Sequence, residues 1–90
     1  MGKYDLLTEY LLGISKEIEE IALSLDEIEK ILKFKLPDSA KNKKFWVNDR
    51  TYSKPQSLSW MYGGWVIKDV DLDKGIIIFC RDENLINDLQ

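Results

Sequence analysis

The residues best suited to chemistry lie in one basic segment, positions 30 to 54. Seven lysines and one arginine stand there against two acids, Asp38 and Asp49, so the segment carries a net charge of +6. The rest of the chain holds five bases and fourteen acids, a net charge of −9. A positive region on an acidic body attracts small anions locally and repels a long polyanion elsewhere. The pattern therefore favours a compact anionic ligand, such as a nucleotide, over a long nucleic acid.

Aromatic and polar side chains are interleaved with these charges. Cations bind phosphate, and one base stacked on a flat ring contributes about 1–3 kcal/mol. Trp46, Asn48 and Arg50 are spaced two apart, so they would share one face of an extended segment. Arg50 and the lysines would hold phosphate, the rings would stack on the base, and Asn48 would read its edge. The predicted ligand-binding residues are Ser39, Lys43, Lys44, Trp46, Asn48, Arg50, Tyr52 and Trp60.

Each of these residue types also has an ordinary structural role. Three tryptophans in a chain of 90 residues, Trp46, Trp60 and Trp65, are often core anchors. A lysine run is typically a solvated surface, and Arg50 beside Asp49 would form a surface ion pair of little energy. The sequence leaves the core and the ligand interpretations of the tryptophans open.

Composition excludes several catalytic systems. The chain is 44% hydrophobic and 32% charged, which is typical of a globular domain. It has no histidine and one cysteine, Cys80, which excludes zinc signatures, Ser-His-Asp and Cys-His catalysis and an intrachain disulfide. The alternating Asp69, Asp71 and Asp73 lack the glycine and terminal glutamate of a calcium loop. We therefore expect a protein that is not an enzyme and that needs no metal or cofactor.

The sequence also indicates a compartment. The first residues lack the apolar core and the small-residue cleavage site of a signal peptide. No apolar run approaches the roughly 20 residues that span a bilayer. A single thiol suits a reducing environment. We expect a cytoplasmic protein (in the host cytoplasm if it is phage-encoded) with no membrane partner.

Local patterns predict a single α+β domain over residues 1–90. Asp5 is expected to cap a helix that ends near Gly13, and residues 18 to 23 read weakly as a strand. Ser24 and Glu27 form a capping box for a helix over residues 25 to 34. A short strand is predicted over residues 45 to 47, a helix over 56 to 62, a hairpin of strands over 65 to 71 and 76 to 81, and a frayed tail over 82 to 90. The predicted fold is a small antiparallel sheet of three or four strands packed with two or three helices.

The predicted hairpin has an unusual distribution of apolar side chains. Strict alternation places Asp69 and Asp71 on the face of Trp65 and Ile67, while the return strand, residues 76 to 81, is apolar on both faces. A sheet that is apolar on both sides must be covered on both sides. Helices cover one side, and a second subunit or a ligand is a reasonable cover for part of the other. We therefore expect a homo-oligomer.

One further pattern extends over most of the chain, about residues 3 to 81. It consists of Lys3-Tyr4-Asp5, Ser24-Leu25 with Glu27-Ile28-Glu29, Leu36-Pro37, Trp46 with Asn48-Asp49-Arg50, Gly64-Trp65-Val66 and Val70-Asp71-Leu72. With these motifs the chain resembles a family of small bacterial and phage domains described only as a domain of unknown function. The family's paired tryptophan is Phe45-Trp46 here, and its frequent histidine after the Asn-Asp-Arg stretch is absent. The resemblance therefore implies no histidine-based catalysis for this chain.

These observations support three functional hypotheses. The first is a non-enzymatic binder of a small anionic nucleotide, held between subunits; by analogy with other small phage proteins, it would sequester an immune signalling nucleotide. The second is a nucleic-acid-binding accessory module, which would show a strong salt dependence of binding. The third is a protein-binding inhibitor or assembly domain with exposed rings as anchors.

Overall fold

The computed structural model of the chain describes residues 2–49, 51 and 54–82. Its helices and strands, in chain order, are α1 (Asp5–Leu12), β1 (Glu20–Ser24), α2 (Leu25–Leu32), two short 3-10 helices (Asp38–Lys41 and Lys43–Phe45), α3 (Pro55–Tyr62), β2 (Trp65–Asp71) and β3 (Ile76–Arg81). The prediction of a small antiparallel α+β fold is confirmed, with three helices and three strands among the described residues. Predictions for Arg50, Tyr52 and the tail 83–90 lie outside the described residues.

Local hydrogen bonds lie at the N-terminal ends of the first two helices. The Ser24 hydroxyl accepts from the Glu27 N–H at 3.0 Å and the Glu27 carboxylate accepts from the Ser24 N–H at 2.9 Å, so the predicted capping box is confirmed. The prediction for α1 was wrong by one residue. Tyr4 is the cap position, while Asp5 opens the helix and accepts from the Gly2 N–H at 2.9 Å. A carboxylate in the first turn suits the helix dipole in either position.

The sheet has the strand order β1-β3-β2, with both neighbouring pairs antiparallel. The predicted strands 65 to 71 and 76 to 81 are confirmed, and their turn is made by residues 72–75. Gly75 in that turn has a φ of +67°, which a residue without Cβ adopts at no steric cost. β3 is the central strand, so the apolar side chains on each of its faces are flanked by side chains of β1 and β2.

A β-bulge interrupts β2 at Lys68, between Ile67 and Asp69. Ile67 pairs with Phe79 before the bulge, and Val70 pairs with Ile77 after it. The extra residue therefore returns Val70 to the face that carries Phe79 and Ile77. The prediction from strict alternation was wrong here, because the bulge moves the carboxylates of β2 to the opposite face.

The core lies between the helices and one face of the sheet. Leu7 and Leu11 of α1, Ile28 and Leu32 of α2, Trp60 and Met61 of α3, and Ile77 and Phe79 of β3 are buried in it. Residues 43–45 form a 3-10 helix that ends at Trp46, so the predicted strand over 45 to 47 was wrong. The chain bends there because Phe45 and Trp46 both enter the core. No helix of the described residues is both long enough and apolar enough to cross a bilayer.

Candidate functional site

The tryptophans belong to a continuous aromatic cluster inside the domain. Trp46 is stacked on Trp60 with ring centroids 5.8 Å apart, and Trp60 contacts the edge of Phe79 at 6.1 Å. Trp46 is 4% exposed, and Trp60 and Trp65 are fully buried. The structure therefore favours the core interpretation for all three rings. Ligand binding by Trp46 and Trp60 stays a prediction, and their packing corrects the expectation that they present a free stacking surface.

Each indole N–H in this cluster already has an acceptor. Trp46 donates to the Ala40 carbonyl at 2.8 Å, and Trp65 donates to the Leu11 carbonyl at 3.2 Å. Trp60 donates to the side-chain oxygen of Asn48 at 3.1 Å. Buried indoles normally require such a partner, because an unpaired donor in the core costs about 1–3 kcal/mol. The contacts fix both the positions and the orientations of the rings.

Asn48, predicted to read a base edge, closes the outer edge of β2. Its amide nitrogen donates to the Ile67 carbonyl at 3.0 Å, and its amide oxygen accepts from the Ile67 N–H at 2.8 Å. The side chain thus replaces a neighbouring strand at this point, and its oxygen also holds the Trp60 indole. These three bonds use both lone pairs of the amide oxygen and one of the two N–H donors, so the side chain is held in place by the protein itself.

The predicted phosphate-binding lysines point into different surroundings. Ser39, Lys43 and Lys44 are exposed on the two 3-10 helices. Lys43 lines a depression beside the end of β2 together with Asp69, Asp71 and Asp73. Lys41 lines another depression, together with Asp26 and Glu29 of α2. Carboxylates thus accompany both lysines, which weakens the attraction of either depression for an anion.

A cleft of about 390 Å³ lies between the N-terminal region of α1 and helix α3. Sequence reasoning did not find it, because its walls come from positions some 50 residues apart. Its lining is mainly apolar and includes Tyr4, Pro55, Leu58 and Tyr62. The charged side chain in this lining is Asp5, which disfavours an anionic ligand in the cleft. Burial raises the pKa of Tyr4 above its ordinary value, so its hydroxyl stays protonated.

The sheet has a second face that carries apolar side chains away from the core. We call it the open sheet face and define it by Ala22, Val66, Ile76, Ile78 and Cys80. Ala22 is exposed and the other four are half-buried, whereas Ile77 and Phe79 on the opposite face are fully buried. The sequence indicated such a face through the two-sided apolar character of β3.

Charged side chains surround the open sheet face. Lys68 of β2 reaches across the sheet to Glu20 of β1, with Nζ and Oε1 2.5 Å apart. The hydrogen bond to Glu20 raises the pKa of Lys68 above its ordinary value. Both side chains are more than half exposed, so the pair contributes little to stability. Asp69 and Asp71 complete the polar border on the β2 side.

The α+β architecture and these surfaces define a small domain with a buried aromatic cluster and one open sheet face. The chain belongs to the family described as Domain of unknown function (DUF7662), whose family model matches residues 4–82. This confirms the resemblance to an uncharacterised domain family. No curated protein and no solved structure matches the chain.

Proposed function

We propose that this chain is a non-enzymatic interaction domain that docks another protein on the open sheet face. The observation that carries the proposal is that the apolar side chains on the two faces of β3 differ in burial. Ile77 and Phe79 are fully buried, while Ile76, Ile78 and Cys80 are only half-buried on the other side. Contiguous apolar surface on a folded domain commonly marks an interaction site.

The border of the face supports the same proposal. Protein interfaces combine an apolar centre with a polar rim that stays accessible to solvent. Ile78 lies at the centre of the open sheet face, with Ala22 beside it on the outer strand β1, and Glu20, Lys68 and Asp71 lie around them. An exposed sheet surface with an apolar centre suits a protein better than a small molecule, which binds in a concave and mostly apolar pocket.

The test uses a variant at the centre of the face. Ile78→Lys introduces a charge there without entering the core, and Leu12→Lys is the matched control at a 62% exposed position of α1. A partner retained from an extract by the tagged wild-type protein is identified, purified and titrated against each variant. We expect Ile78→Lys to weaken binding at least tenfold and Leu12→Lys to leave it unchanged, because central apolar contacts dominate interface energies.

Cys80 supplies an independent readout on the same face. It is a free thiol in the open sheet face, so its alkylation rate reports whether the face is covered. We expect the purified partner to slow alkylation of Cys80 in proportion to its occupancy. Equal rates with and without a saturating partner, or equal affinities of the wild type and Ile78→Lys, contradict the proposal.

A second candidate is the binding of a small anionic nucleotide, with sequestration of a phage-infection signal as its biological use. The observation that favours it is the exposure of all seven lysines of segment 30 to 54, of which Lys43 and Lys44 are adjacent. The test is a thermal-shift panel of cyclic and linear nucleotides, with mass spectrometry of small molecules that copurify. We expect any shift to disappear in a Lys43→Glu, Lys44→Glu double variant. A panel without any shift contradicts this candidate.

A further inference from the structure

The two outer edges of the sheet differ in what covers their backbone groups. On β2, the Asn48 side chain bonds both the N–H and the carbonyl of Ile67. On β1, the pairing with β3 runs through alternate residues, as the bonds from Arg81 N to Glu19 O and from Leu25 N to Gly75 O indicate. The backbone groups of Glu20, Ala22 and Ser24 therefore point away from β3.

Ser24 is the one of these three whose outward N–H is bonded, because the Glu27 carboxylate accepts from it. Among the described residues, no hydrogen bond is found for the outward backbone groups of Ala22 or for the outward N–H of Glu20. An edge with free donors and acceptors is a template for another strand. β1 also lacks proline and lysine, two residues that often protect edges.

We infer that the outer edge of β1 pairs with β1 of a second copy of this chain in an antiparallel register centred on Ile21. In such a two-fold pair Glu20 lies opposite Ala22 of the other copy, and each of the two equivalent pairs exchanges both backbone bonds, four in all. Ser24 takes no part, because its outward N–H is already bonded to Glu27. A register centred on Ala22 would set Glu20 opposite Ser24 and would need that N–H, and a register centred on Glu20 would set two like charges against each other.

The pairing joins the open sheet faces of the two copies into one surface. One face measures about 14 by 20 Å, roughly 280 Å², from strand spacing and rise. A standard interface buries about 800 Å² on each partner. The doubled face of roughly 560 Å² comes much closer to that size. The edge is a separate surface from the partner-binding face, so self-pairing stands or fails independently of the proposed function.

The first test removes the central bonds of the proposed pair. Ala22→Pro deletes an N–H that points away from β3, and proline is accepted on edge strands. We expect sedimentation velocity of the wild type to show a dimer that grows with concentration between about 10 µM and 1 mM, and Ala22→Pro to weaken it at least tenfold, the effect of removing about two hydrogen bonds. Circular dichroism and urea unfolding establish that the variant is folded.

The second test remains decisive if Ala22→Pro does not fold. Ala22→Lys places a positive charge opposite the Glu20 carboxylate of the second copy, about 5 Å away, whereas Ala22→Glu places a like charge there. We expect Ala22→Glu to dimerise more weakly than Ala22→Lys by about threefold to thirtyfold at low salt. Ser15→Lys and Ser15→Glu, at an exposed position outside the sheet, are the matched controls and should show no such difference.

Three results would overturn the inference: a wild type that stays monomeric up to about 1 mM, a folded Ala22→Pro variant that dimerises as the wild type does, or an Ala22→Glu variant that dimerises as tightly as Ala22→Lys. Ile78→Lys separates the two proposals, because it lies on β3 and leaves the β1 edge intact. Loss of partner binding with unchanged self-association supports both. Loss of self-association in Ile78→Lys contradicts the edge register.

Discussion

Asn48 offers the sharpest distinction between a structural and a ligand-reading role. Asn48→Ala removes the bonds to both backbone groups of Ile67 and the acceptor of the Trp60 indole. Trp60 is fully buried, so its orphaned N–H costs about 1–3 kcal/mol. The Ile67 groups lie at the sheet edge, where water replaces part of the lost bonding, and add about 1 kcal/mol. We expect a total loss of about 2–4 kcal/mol.

Urea unfolding followed by tryptophan fluorescence measures this loss. A domain of 90 residues has a stability of roughly 5–13 kcal/mol, so the variant should still fold. Asn42→Ala is the matched control, because the Asn42 side chain accepts only from the exposed Lys44 N–H at 3.0 Å and should cost no more than about 1 kcal/mol. An Asn48→Ala variant within about 0.5 kcal/mol of the wild type would refute the structural role.

Asn48→Asp adds a pH dependence with a definite sign. The new carboxylate keeps both accepted bonds but sets a negative oxygen against the Ile67 carbonyl, which raises its pKa in the folded state. Protonation restores a donor toward that carbonyl. The variant should therefore be least stable relative to the wild type at neutral pH, and the difference should shrink as the pH falls toward 4. A difference in stability that stays constant across this range contradicts the geometry.

Three further predictions concern other contacts of the domain. The Arg81 guanidinium lies 4.1 Å from the Trp65 ring centroid and donates to the carbonyls of residues 14, 15 and 18. Arg81→Lys should therefore lower the free energy of unfolding in urea by about 1–3 kcal/mol. A loss below about 0.5 kcal/mol would contradict the role of these contacts in stability. The backbone N–H of Ser24, and after it the Ser24 hydroxyl, hold the pKa of Glu27 below its ordinary value of 4.5. The ionised Glu27 carboxylate therefore stabilises the fold above about pH 4.5, and this stabilisation is lost as the pH falls through the lower pKa of the folded state. Ser24→Ala should lower the free energy of unfolding by about 1 kcal/mol at pH 7. Its stability, measured by thermal unfolding, should also fall less than that of the wild type between about pH 5 and 3. An equal fall in stability over this range would argue against the capping box. Trp46→Ala should cost about 3–5 kcal/mol by the same assay, while a stable variant that has lost only ligand binding would restore the stacking interpretation.

The elements that were predictable from the sequence depend on interactions between near neighbours in the chain. Ser24 and Glu27 are three residues apart, and their reciprocal bonds begin α2 where the motif indicates. The turn before Gly75 and the apolar runs beside it likewise define the hairpin of β2 and β3. Propensity and capping act over a few residues, so the sequence displays them directly.

The candidate site depended on contacts between distant residues. Asn48 bonds Ile67, nineteen positions away, and the Trp65 indole reaches the Leu11 carbonyl, fifty-four positions away. Nothing in the local spacing distinguishes a tryptophan that stacks on a ligand from one that fills the core. The bulge at Lys68 is a similar case, because it is defined by the register with β3 and not by β2 alone.

The sequence by itself determined the α+β class, the helix and hairpin positions, the family and the presence of an apolar strand surface in need of a cover. Only the tertiary structure decided that the tryptophan rings are internal, that Lys41 and Lys43 line separate acidic depressions, and that Asn48 closes one sheet edge while no described residue closes the other at Ala22. The reason is physical: patterning and capping energies are set within one segment, whereas burial and edge pairing arise only when segments far apart in the chain meet.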